Sequence, residues 1–215
     1  MKSIESERIT NLPPYIFQLT NDRRARARQE GRDVIDLAMG NPDLPPPQPV
    51  IEKMREVLSD PKVHRYSASK GIPHLRREIS LWYDRRFGVK IDPDEEAIVT
   101  IGSKEGISHL ALAIFDRGDV VLTPNPTYPS HLYSVIMAGA SIYDIPLLPD
   151  NNFIPDLNQP IYDRYPGPKA MIVSYPNNPT TQVVELDFFK DLVKFAKKND
   201  IIIIHDIAYS EICFD

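Results

Sequence analysis

The sequence predicts an α/β fold of three layers, with a mostly parallel sheet between helices and an arm at the amino terminus. From residue 97 onward, strand-length apolar runs alternate with amphipathic runs of helical length, an order typical of parallel sheets. The run Ile201–Ile204 is apolar on both alternating faces, so we expect helices to cover both sides of its strand. With 215 residues, of which 42% are hydrophobic, the chain is long enough to bury such a core.

The amino-terminal segment is expected to form an arm followed by a solvated helix. Residues 12–17 carry apolar and aromatic side chains, and Pro13 and Pro14 are expected to keep this segment from being helical. Residues 21–31 combine arginines with acidic and alanine residues. That pattern favours a solvated helix over a phosphate-binding site.

Two amphipathic helices are predicted next. Val50, Met54 and Val57 recur at helical spacing, and Pro73 marks the start of a second helix that includes Trp82. The alternating part of the chain then comprises these predicted elements: a strand at Ala97–Ile101, a helix at Ser103–Phe115, a strand at Asp119–Thr123, a helix from Pro129, strands at Ser141–Ile145 and Lys169–Tyr175, a helix at Glu185–Lys197 and a strand at Ile201–His205.

Charge and cysteine content argue against several kinds of partner. The 25 basic and 30 acidic side chains give a net charge of -5, so no global field attracts nucleic acid or anionic lipid. No apolar run approaches the length of a bilayer-spanning helix. The single cysteine, Cys213, cannot form an internal disulfide, and the start of the sequence has no apolar signal region. We therefore expect a cytoplasmic protein without nucleic-acid or membrane partners.

Small and polar residues follow the predicted strands, at the edge where parallel α/β sheets bind ligands. Gly102 and Ser103 lead into a helix whose free N–H groups and positive dipole end favour a bound phosphate. Alternatively, Ser103 is an ordinary N-cap. The turn matches neither the dinucleotide-binding glycine pattern nor the nucleoside-triphosphate loop, so neither ligand is predicted.

Two further polar side chains are placed at this edge. Asn178 follows the strand Lys169–Tyr175 in a proline-flanked turn, where it is either a fixed donor or part of an Asx turn. Asp206 follows the last strand, and a carboxylate delivered there needs a positive partner. That partner is either a structural cation or a protonated heterocyclic nitrogen.

Two other kinds of site are not predicted. The histidines contain no pair at i,i+4, so we predict no metal site and expect them to be ordinary core or surface residues. Ser67 and Lys70 match the serine–lysine pattern of penicillin-binding proteins, but the companion motifs are absent. A serine acylase is therefore not favoured.

Several motifs occur in a definite order along the chain. They are Gly40-Asn41-Pro42-Asp43, Tyr66-Ser67-Ala68-Ser69-Lys70-Gly71 with Leu75-Arg76, Gly102-Ser103-Lys104-Glu105-Gly106, Asn125-Pro126-Thr127-Tyr128-Pro129, Asn177-Asn178-Pro179-Thr180 and Asp206-Ile207-Ala208-Tyr209. In this order they resemble the motifs of fold-type I pyridoxal-phosphate aminotransferases of class I/II, and the resemblance spans nearly the whole chain. The most similar branch includes bacterial alanine aminotransferases and LL-diaminopimelate aminotransferase-like enzymes.

The resemblance implies the cofactor pyridoxal 5′-phosphate and residues that bind it. Ser103 and Lys104 would bind the cofactor phosphate, mainly through backbone N–H groups. Tyr66 would reach the phosphate in the neighbouring subunit, which makes a homodimer with a shared active site. Tyr128 would stack on the pyridine ring.

The remaining roles concern the cofactor's ring substituents and the substrate. Asn178 and Tyr209 would hydrogen-bond the phenolic oxygen, and Asp206 would pair with the pyridinium nitrogen. Asp206 and Tyr209 would thereby serve catalysis, because a protonated ring can take up the electrons left when the substrate's Cα–H bond breaks. Gly40 would lie by the substrate carboxylate.

The resemblance also implies a division of the chain and a missing residue. Residues 1–45 would form the arm and a segment of the small domain, and residues 46–215 would form the first part of the cofactor-binding large domain. The rest of both domains would be absent. Family members need a lysine that forms a Schiff base with the cofactor, downstream of the Asp206–Tyr209 motif. The sequence stops at Asp215, so we expect an amino-terminal portion that is inactive alone.

The expected function is amino transfer between an amino acid and a 2-oxo acid, with alanine and glutamate as the expected amino acids. Two alternatives remain open. The chain is a non-catalytic fragment or split half that needs a complementary chain, or it belongs to a pyridoxal-phosphate-dependent lyase of the same fold.

Overall fold

The structure is a computed structural model that describes residues 4–37, 40, 44–158 and 166–213. Of the predicted Gly40–Asp43 motif, only Gly40 lies within the described residues. The chain forms two compact units, one comprising residues 1–13 and 101–215 and the other comprising residues 14–100. The domain division predicted at residue 45 stays a prediction.

Helices and strands alternate along the described residues from 101 onward, whereas the described residues of the unit 14–100 form helices and no strand. The helices are α1 (Glu7–Thr10), α2 (Ile16–Gln29), α3 (Gln48–Leu58), α4 (Pro73–Phe87), α5 (Ser103–Ile114), α6 (Pro129–Ala138) and α7 (Leu186–Asn199), with a 3-10 turn at Pro149–Asn151. The strands are β1 (Val120–Asn125), β2 (Ser141–Pro146), β3 (Ala170–Ser174) and β4 (Ile202–Asp206). The sequence did not predict α1 or the 3-10 turn, and it predicted a strand at Ala97–Ile101 that is absent from the described residues; the other elements lie close to the predicted ones.

The four strands form one parallel sheet in the order β2-β1-β3-β4. In its register Val121 pairs with Ala170, Ala170 pairs with Ile202, and Ser174 pairs with Asp206. All carboxyl ends therefore lie at one edge, as the alternating sequence predicted.

Alternating side chains of the sheet pack into two separate core clusters. Leu122 and Val173 belong to a cluster that includes Leu192 of α7. Val121 belongs to the other cluster, which includes Val135 of α6 as well as residues of α5. Helices therefore cover both faces, and the predicted three-layer fold is confirmed.

The strand predicted at Ala97–Ile101 is not formed. In this segment Val99 N donates to Lys70 O at 3.1 Å, which is not a ladder between strands, and Ile98 and Ile101 are exposed. An apolar run becomes a strand only where a neighbouring strand completes its hydrogen-bond ladder. Within the described residues, none pairs with this segment.

The last strand is less covered than its sequence predicts. Ile203 packs with the cluster on the α7 side and Ile204 with the cluster on the α5 and α6 side, as expected for alternating faces. Ile202, however, is 47% exposed. The reason is its place in the order, because β4 has a neighbour on one side only among the described strands.

The amino-terminal segment corrects one expectation and meets another. Helix α2 begins at Ile16, so Ile16 and Phe17 are helical although Pro13 and Pro14 precede them. Prolines that lie before a helix do not interrupt its hydrogen bonds. The arm before Pro14 docks on α6, where Tyr133 donates to Pro13 O at 3.3 Å and Arg8 donates to a backbone carbonyl.

A buried arginine in the unit of residues 14–100 connects two of its loops. Arg76 is 7% exposed, and its guanidinium donates to Gly71 O and Pro93 O and pairs with Asp94 at 2.8 Å. Lys70 also donates to Asp94 O at 3.3 Å. These bonds fasten residues 70–71, the end of the motif that starts at Tyr66, to the segment around Asp94.

Candidate functional site

Asp206 occupies the carboxyl end of β4, at the edge where ligands bind in parallel sheets. Its side chain is 10% exposed and faces α6, because it shares a hydrogen bond with a residue of that helix. An apolar strand thus delivers one carboxylate to the edge, as the sequence predicts.

His131 is the side-chain partner of Asp206. It lies in the first turn of α6 and is fully buried, with its Nε2 3.0 Å from Asp206 Oδ2. The other ring nitrogen, Nδ1, lies 2.7 Å from the Thr127 hydroxyl. Because Nε2 faces a carboxylate, it carries a proton and donates, while Nδ1 shares a hydrogen bond with the Thr127 hydroxyl, which can donate or accept.

These contacts keep Asp206 ionised. The hydrogen bond from His131 lowers the pKa of Asp206 below its ordinary value, and it outweighs the burial that would raise it. The Ala208 N–H, which donates to Oδ1 at 3.2 Å, acts in the same direction. The site therefore presents a negative charge at the end of β4 at neutral pH.

His131 is a buried core residue, as the sequence-based interpretation of the histidines allowed, but its hydrogen bond to Asp206 was not predicted. A usable signal was its position, four residues after Thr127 and in the first turn of a helix that a loop of three residues joins to β1. The pairing also concerns the partner of Asp206, for which the sequence left a structural cation or a protonated heterocyclic nitrogen open. Each carboxylate oxygen can accept a second hydrogen bond, so pairing with His131 leaves room for a heterocyclic N–H.

Tyr128 and Lys104 meet beside this pair. Tyr128 immediately precedes α6, and its ring centroid lies 5.9 Å from that of His131 in an edge-on arrangement. Lys104 Nζ lies 5.4 Å from the Tyr128 ring centroid, within the range of a cation–π contact. The first turn of α5 and the loop between β1 and α6 are therefore brought together.

The start of α5 has the features of an anion site. Gly102 is the N-cap residue, with φ +80°, a conformation that glycine adopts without strain. Ser103 is therefore the first helical residue, and the alternative that it is the N-cap is wrong. Glu105 in the same turn accepts the Ile101 N–H. The N–H groups of Ser103 and Lys104 point out of the helix end, as in any first turn.

The loop after β3 contains two adjacent asparagines with different surroundings. Asn177 is 5% exposed and makes the Asx-type bonds, to Ser174 and Thr180. Asn178 is half-buried, and its amide makes no hydrogen bond to any residue that the structure describes. The Asx-turn alternative thus applies to Asn177 and not to Asn178.

The other predicted residues are placed as follows. Tyr209 lies in the turn after β4 and is 39% exposed. Tyr66 belongs to the unit of residues 14–100 and is fully exposed, and Gly40 is exposed. The roles implied for these residues stay predictions. Among the described side chains, no group of three or more His, Cys, Asp or Glu residues could hold a metal ion.

A parallel three-layer α/β fold with polar residues at the carboxyl ends of its strands defines a class of proteins that bind small ligands at that edge. The chain belongs to the family "Aminotransferase class I and II", whose model matches residues 32–215. Aminotransferases of this family use pyridoxal 5′-phosphate, so membership confirms the cofactor that the motifs predicted.

Individual relatives agree with this assignment. Glutamate-pyruvate aminotransferase AlaC of Escherichia coli (strain K12) is 50% identical over 208 residues, which are 97% of this chain and 50% of AlaC. LL-diaminopimelate aminotransferase of Dehalococcoides mccartyi (strain ATCC BAA-2266 / KCTC 15142 / 195) is 45% identical over 98% of this chain and 54% of its own length. Substrate-bound BacF from Bacillus subtilis superposes with a TM-score of 0.87 at 34% identity, over 96% of this chain and 52% of BacF. The chain spans about half the length of the curated relatives it matches.

Proposed function

We propose that the whole protein containing this chain is a pyridoxal-phosphate-dependent aminotransferase that transfers an amino group between an amino acid and a 2-oxo acid. The observation that carries this proposal is the Asp206–His131 pair, an ionised carboxylate held at the ligand-binding edge of the sheet. Family membership and the position of Asp206 at the end of β4 support the same function.

The donor set at the sheet edge fits the charges of the cofactor. Pyridoxal phosphate, when bound, supplies a protonated heterocycle that takes up the electron pair left by cleavage of the substrate's Cα–H bond. Asp206 would hold that proton on the ring nitrogen. His131 would keep Asp206 ionised and correctly oriented, and it would do so without contacting the cofactor.

Other residues of the same unit would bind the remaining parts of the cofactor. The first turn of α5, with Ser103 and Lys104, would bind the phosphate through N–H groups and positive charge. Tyr128 would stack on the ring. Asn178, whose amide makes no other hydrogen bond within the described chain, would donate to the phenolic oxygen together with Tyr209.

Alanine and glutamate are the proposed amino acids, because a relative named glutamate-pyruvate aminotransferase is 50% identical. Relatives named LL-diaminopimelate aminotransferase are 43–45% identical, and they make a diamino acid the second candidate. Gly40 would lie by the carboxylate of either substrate.

Subunit sharing and location are further parts of the proposal. The protein would be a cytoplasmic homodimer in which Tyr66 reaches the phosphate bound by the partner. The full exposure of Tyr66 supports this role, since nothing within the described chain covers its ring. Among the described helices, none has the length and apolar character to cross a membrane.

The Schiff-base lysine would lie in the part of the whole protein that corresponds to the other half of the relatives. Lys70 and Lys104 have other surroundings, since Lys70 donates to a backbone carbonyl and Lys104 lies over an aromatic ring. The chain of residues 1–215 would therefore act only together with that half, whether it is covalently joined or supplied as a complementary chain.

The test of the proposed reaction is an assay of the purified whole protein with alanine and 2-oxoglutarate. A transaminase yields pyruvate and glutamate in equal amounts and releases no ammonia. The lyase alternative is tested with serine in place of alanine, because elimination of the serine β-hydroxyl yields pyruvate and ammonia without any 2-oxo acid, whereas alanine has no β leaving group. The absence of any reaction with alanine, glutamate or a diamino acid would refute the proposal.

Shared sites are tested by mixing subunits. One subunit carries Tyr66→Phe and the other carries Asp206→Asn, so that a hybrid dimer has one site free of both changes. We expect activity to exceed that of either parent only after the subunits are exchanged. If mixing adds nothing while hybrids form, Tyr66 acts within its own subunit or not at all.

A further inference from the structure

The segment between β3 and α7 is organised around one buried amide. Asn177 is 5% exposed, and both ends of its side chain are used. Nδ2 donates to Ser174 O at 3.3 Å. Oδ1 accepts the backbone N–H of Thr180 at 3.1 Å and the Thr180 hydroxyl at 2.9 Å. One side chain therefore ties the end of β3 to the far side of the loop.

Backbone hydrogen bonds close the same loop. Asn177 N donates to Gln182 O, and Thr181 N donates to Asn177 O, each at 2.9 Å. Thr181 has φ +60°, in the left-handed region that a β-branched residue rarely adopts. A residue holds such a conformation only where the surrounding contacts determine it, and here those contacts converge on Asn177.

Asn178 lies between the two anchored points. Its predecessor is fixed to β3, and Thr180, two residues later, is fixed to the Asn177 side chain. Asn178 itself has no hydrogen bond from its amide to the described residues. Its backbone is therefore held by contacts of Asn177, while its own amide stays available to a ligand.

We propose that Asn177 is a positioning residue that fixes the backbone of Asn178 so that the Asn178 amide is aimed at the phenolic oxygen of the cofactor. This inference rests on the proposed function, since it takes from it the contact between Asn178 and the cofactor. Asn177 does not touch the cofactor in this proposal. It acts through the loop.

The ordinary alternative is that Asn177 only stabilises the loop. Both roles predict a lower melting temperature for Asn177→Ala, so stability does not distinguish them. A pH titration of the visible absorbance of the bound cofactor does distinguish the two roles. An anionic oxygen that loses a donor becomes more basic, so the midpoint of that titration rises when the donor is removed or misdirected.

The experiment compares variants of the whole protein loaded with pyridoxal phosphate. We expect Asn178→Ala to raise the titration midpoint by about one pH unit, the size of one hydrogen bond to a charged group. Asn177→Ala should raise it by at least half as much. The double variant should show no further increase beyond Asn178→Ala, because both changes remove the same donor.

Two further variants serve as a matched control and as a milder test of the same loop. Asn199→Ala is the matched control, because the Asn199 amide also caps a carbonyl, Phe195 O at 2.9 Å, but does so at the end of α7. It should lower stability and leave the midpoint unchanged. Thr180→Val removes the hydroxyl that donates to Asn177 Oδ1 at 2.9 Å, together with the longer bond that this hydroxyl accepts from Gln182 N at 3.4 Å. It should produce a smaller rise in the midpoint, and it decides the question if Asn177→Ala does not fold.

Each outcome is decisive. A raised midpoint in the Asn177 or Thr180 variant, with none in Asn199→Ala, supports positioning. An unchanged midpoint in these variants, while Asn178→Ala raises it, overturns this inference and leaves the proposed function intact. An unchanged midpoint in Asn178→Ala itself overturns the inference together with the cofactor contact on which it rests. The dissociation constant for pyridoxal phosphate, measured on the apo variants, should increase most in Asn178→Ala, less in Asn177→Ala, still less in Thr180→Val, and not at all in Asn199→Ala.

Discussion

Asp206 Oδ2 lies 3.0 Å from His131 Nε2, and this hydrogen bond joins the end of β4 to the first turn of α6. The two residues are 75 positions apart in sequence, and the histidine is fully buried. The parallel sheet places the carboxyl ends of β1 and β4 at one edge, and this brings Asp206 to the histidine whose hydrogen bond keeps it ionised.

Replacing Asp206 tests the central electrostatic role. In the whole protein, Asp206→Asn should keep the fold, bind the cofactor more weakly and lower turnover by several orders of magnitude, because a neutral amide cannot hold the pyridinium proton. Steady-state kinetics measure the effect.

The control is Asp119→Asn, which removes a carboxylate at the opposite end of the sheet, where Asp119 pairs with Lys169 at 2.7 Å. That pair is partly exposed to solvent, so its loss should cost about 1 kcal/mol of stability and leave turnover unchanged. Near-normal turnover by a natively folded Asp206→Asn would remove Asp206 from the site.

Removing His131 should act on Asp206. In His131→Leu the carboxylate loses its side-chain donor, so its pKa should rise and the free energy of unfolding should fall by about 2 kcal/mol. Cofactor affinity should fall as well, because a less ionised Asp206 holds the ring proton less well.

Ser134→Ala is the matched control for the histidine, since Ser134 is buried on the same helix and donates to the His131 carbonyl without contacting Asp206. Denaturant unfolding and cofactor titration measure both variants. Equal losses of cofactor affinity would show that His131 matters only for packing.

The sequence predicted Asp206 and Asn178 from one rule, that polar residues after buried strands collect at the ligand-binding edge. It missed His131 because a histidine on a helix has many possible surroundings, and only the sheet order brings it to β4. It also predicted a strand at Ala97–Ile101 from apolar character alone. Strand formation depends on a neighbour that is remote in sequence, and local pattern does not report whether that neighbour is present.

Acid should destabilise the protein in two stages. Partial burial lowers the pKa of His205, so the folded state favours the neutral ring, and stability is lost as the pH falls below the unfolded value of about 6.5. The pKa of Asp206 is also lowered, by its hydrogen bond from His131, so its contribution is lost as the pH falls below the unfolded value of about 3.9.

His205→Gln should therefore flatten the stability curve between about pH 7 and pH 5 and leave the steeper loss below pH 4. His109→Gln, at an exposed position of α5, serves as the control and should keep the wild-type curve. Unfolding free energies measured at a series of pH values decide the matter. If His205→Gln follows the wild-type curve, titration of this histidine does not set the first stage.

Two glycines with positive φ should respond differently to alanine. At Gly71, φ is +85° and a methyl group would overlap the Val99 side chain, whereas at Gly88 φ is +67° and nothing lies within 4 Å. Gly88→Ala carries the backbone cost alone, about 1 kcal/mol, while Gly71→Ala adds about 1–3 kcal/mol of overpacking. In thermal unfolding, the melting temperature of Gly71→Ala should be well below that of Gly88→Ala. Equal stabilities would mean that the contact between the Gly71 loop and Val99 yields at little cost.

The chain of residues 1–215 by itself should not catalyse transamination. It would bind pyridoxal phosphate weakly through Ser103, Asn178 and Asp206, but it would lack the lysine that holds the cofactor covalently and moves the Cα proton. Expression of residues 1–215 alone, and together with the segment that corresponds to the rest of the relatives, separates the two cases. Borohydride should attach the cofactor to one defined lysine only in the reconstituted protein, and amino transfer should appear with it.

Lys104→Arg in residues 1–215 is the internal control, because Lys104 Nζ lies 5.4 Å from the Tyr128 ring. Turnover by residues 1–215 alone, with trapping that this substitution abolishes, would make Lys104 the catalytic lysine and overturn the assignment.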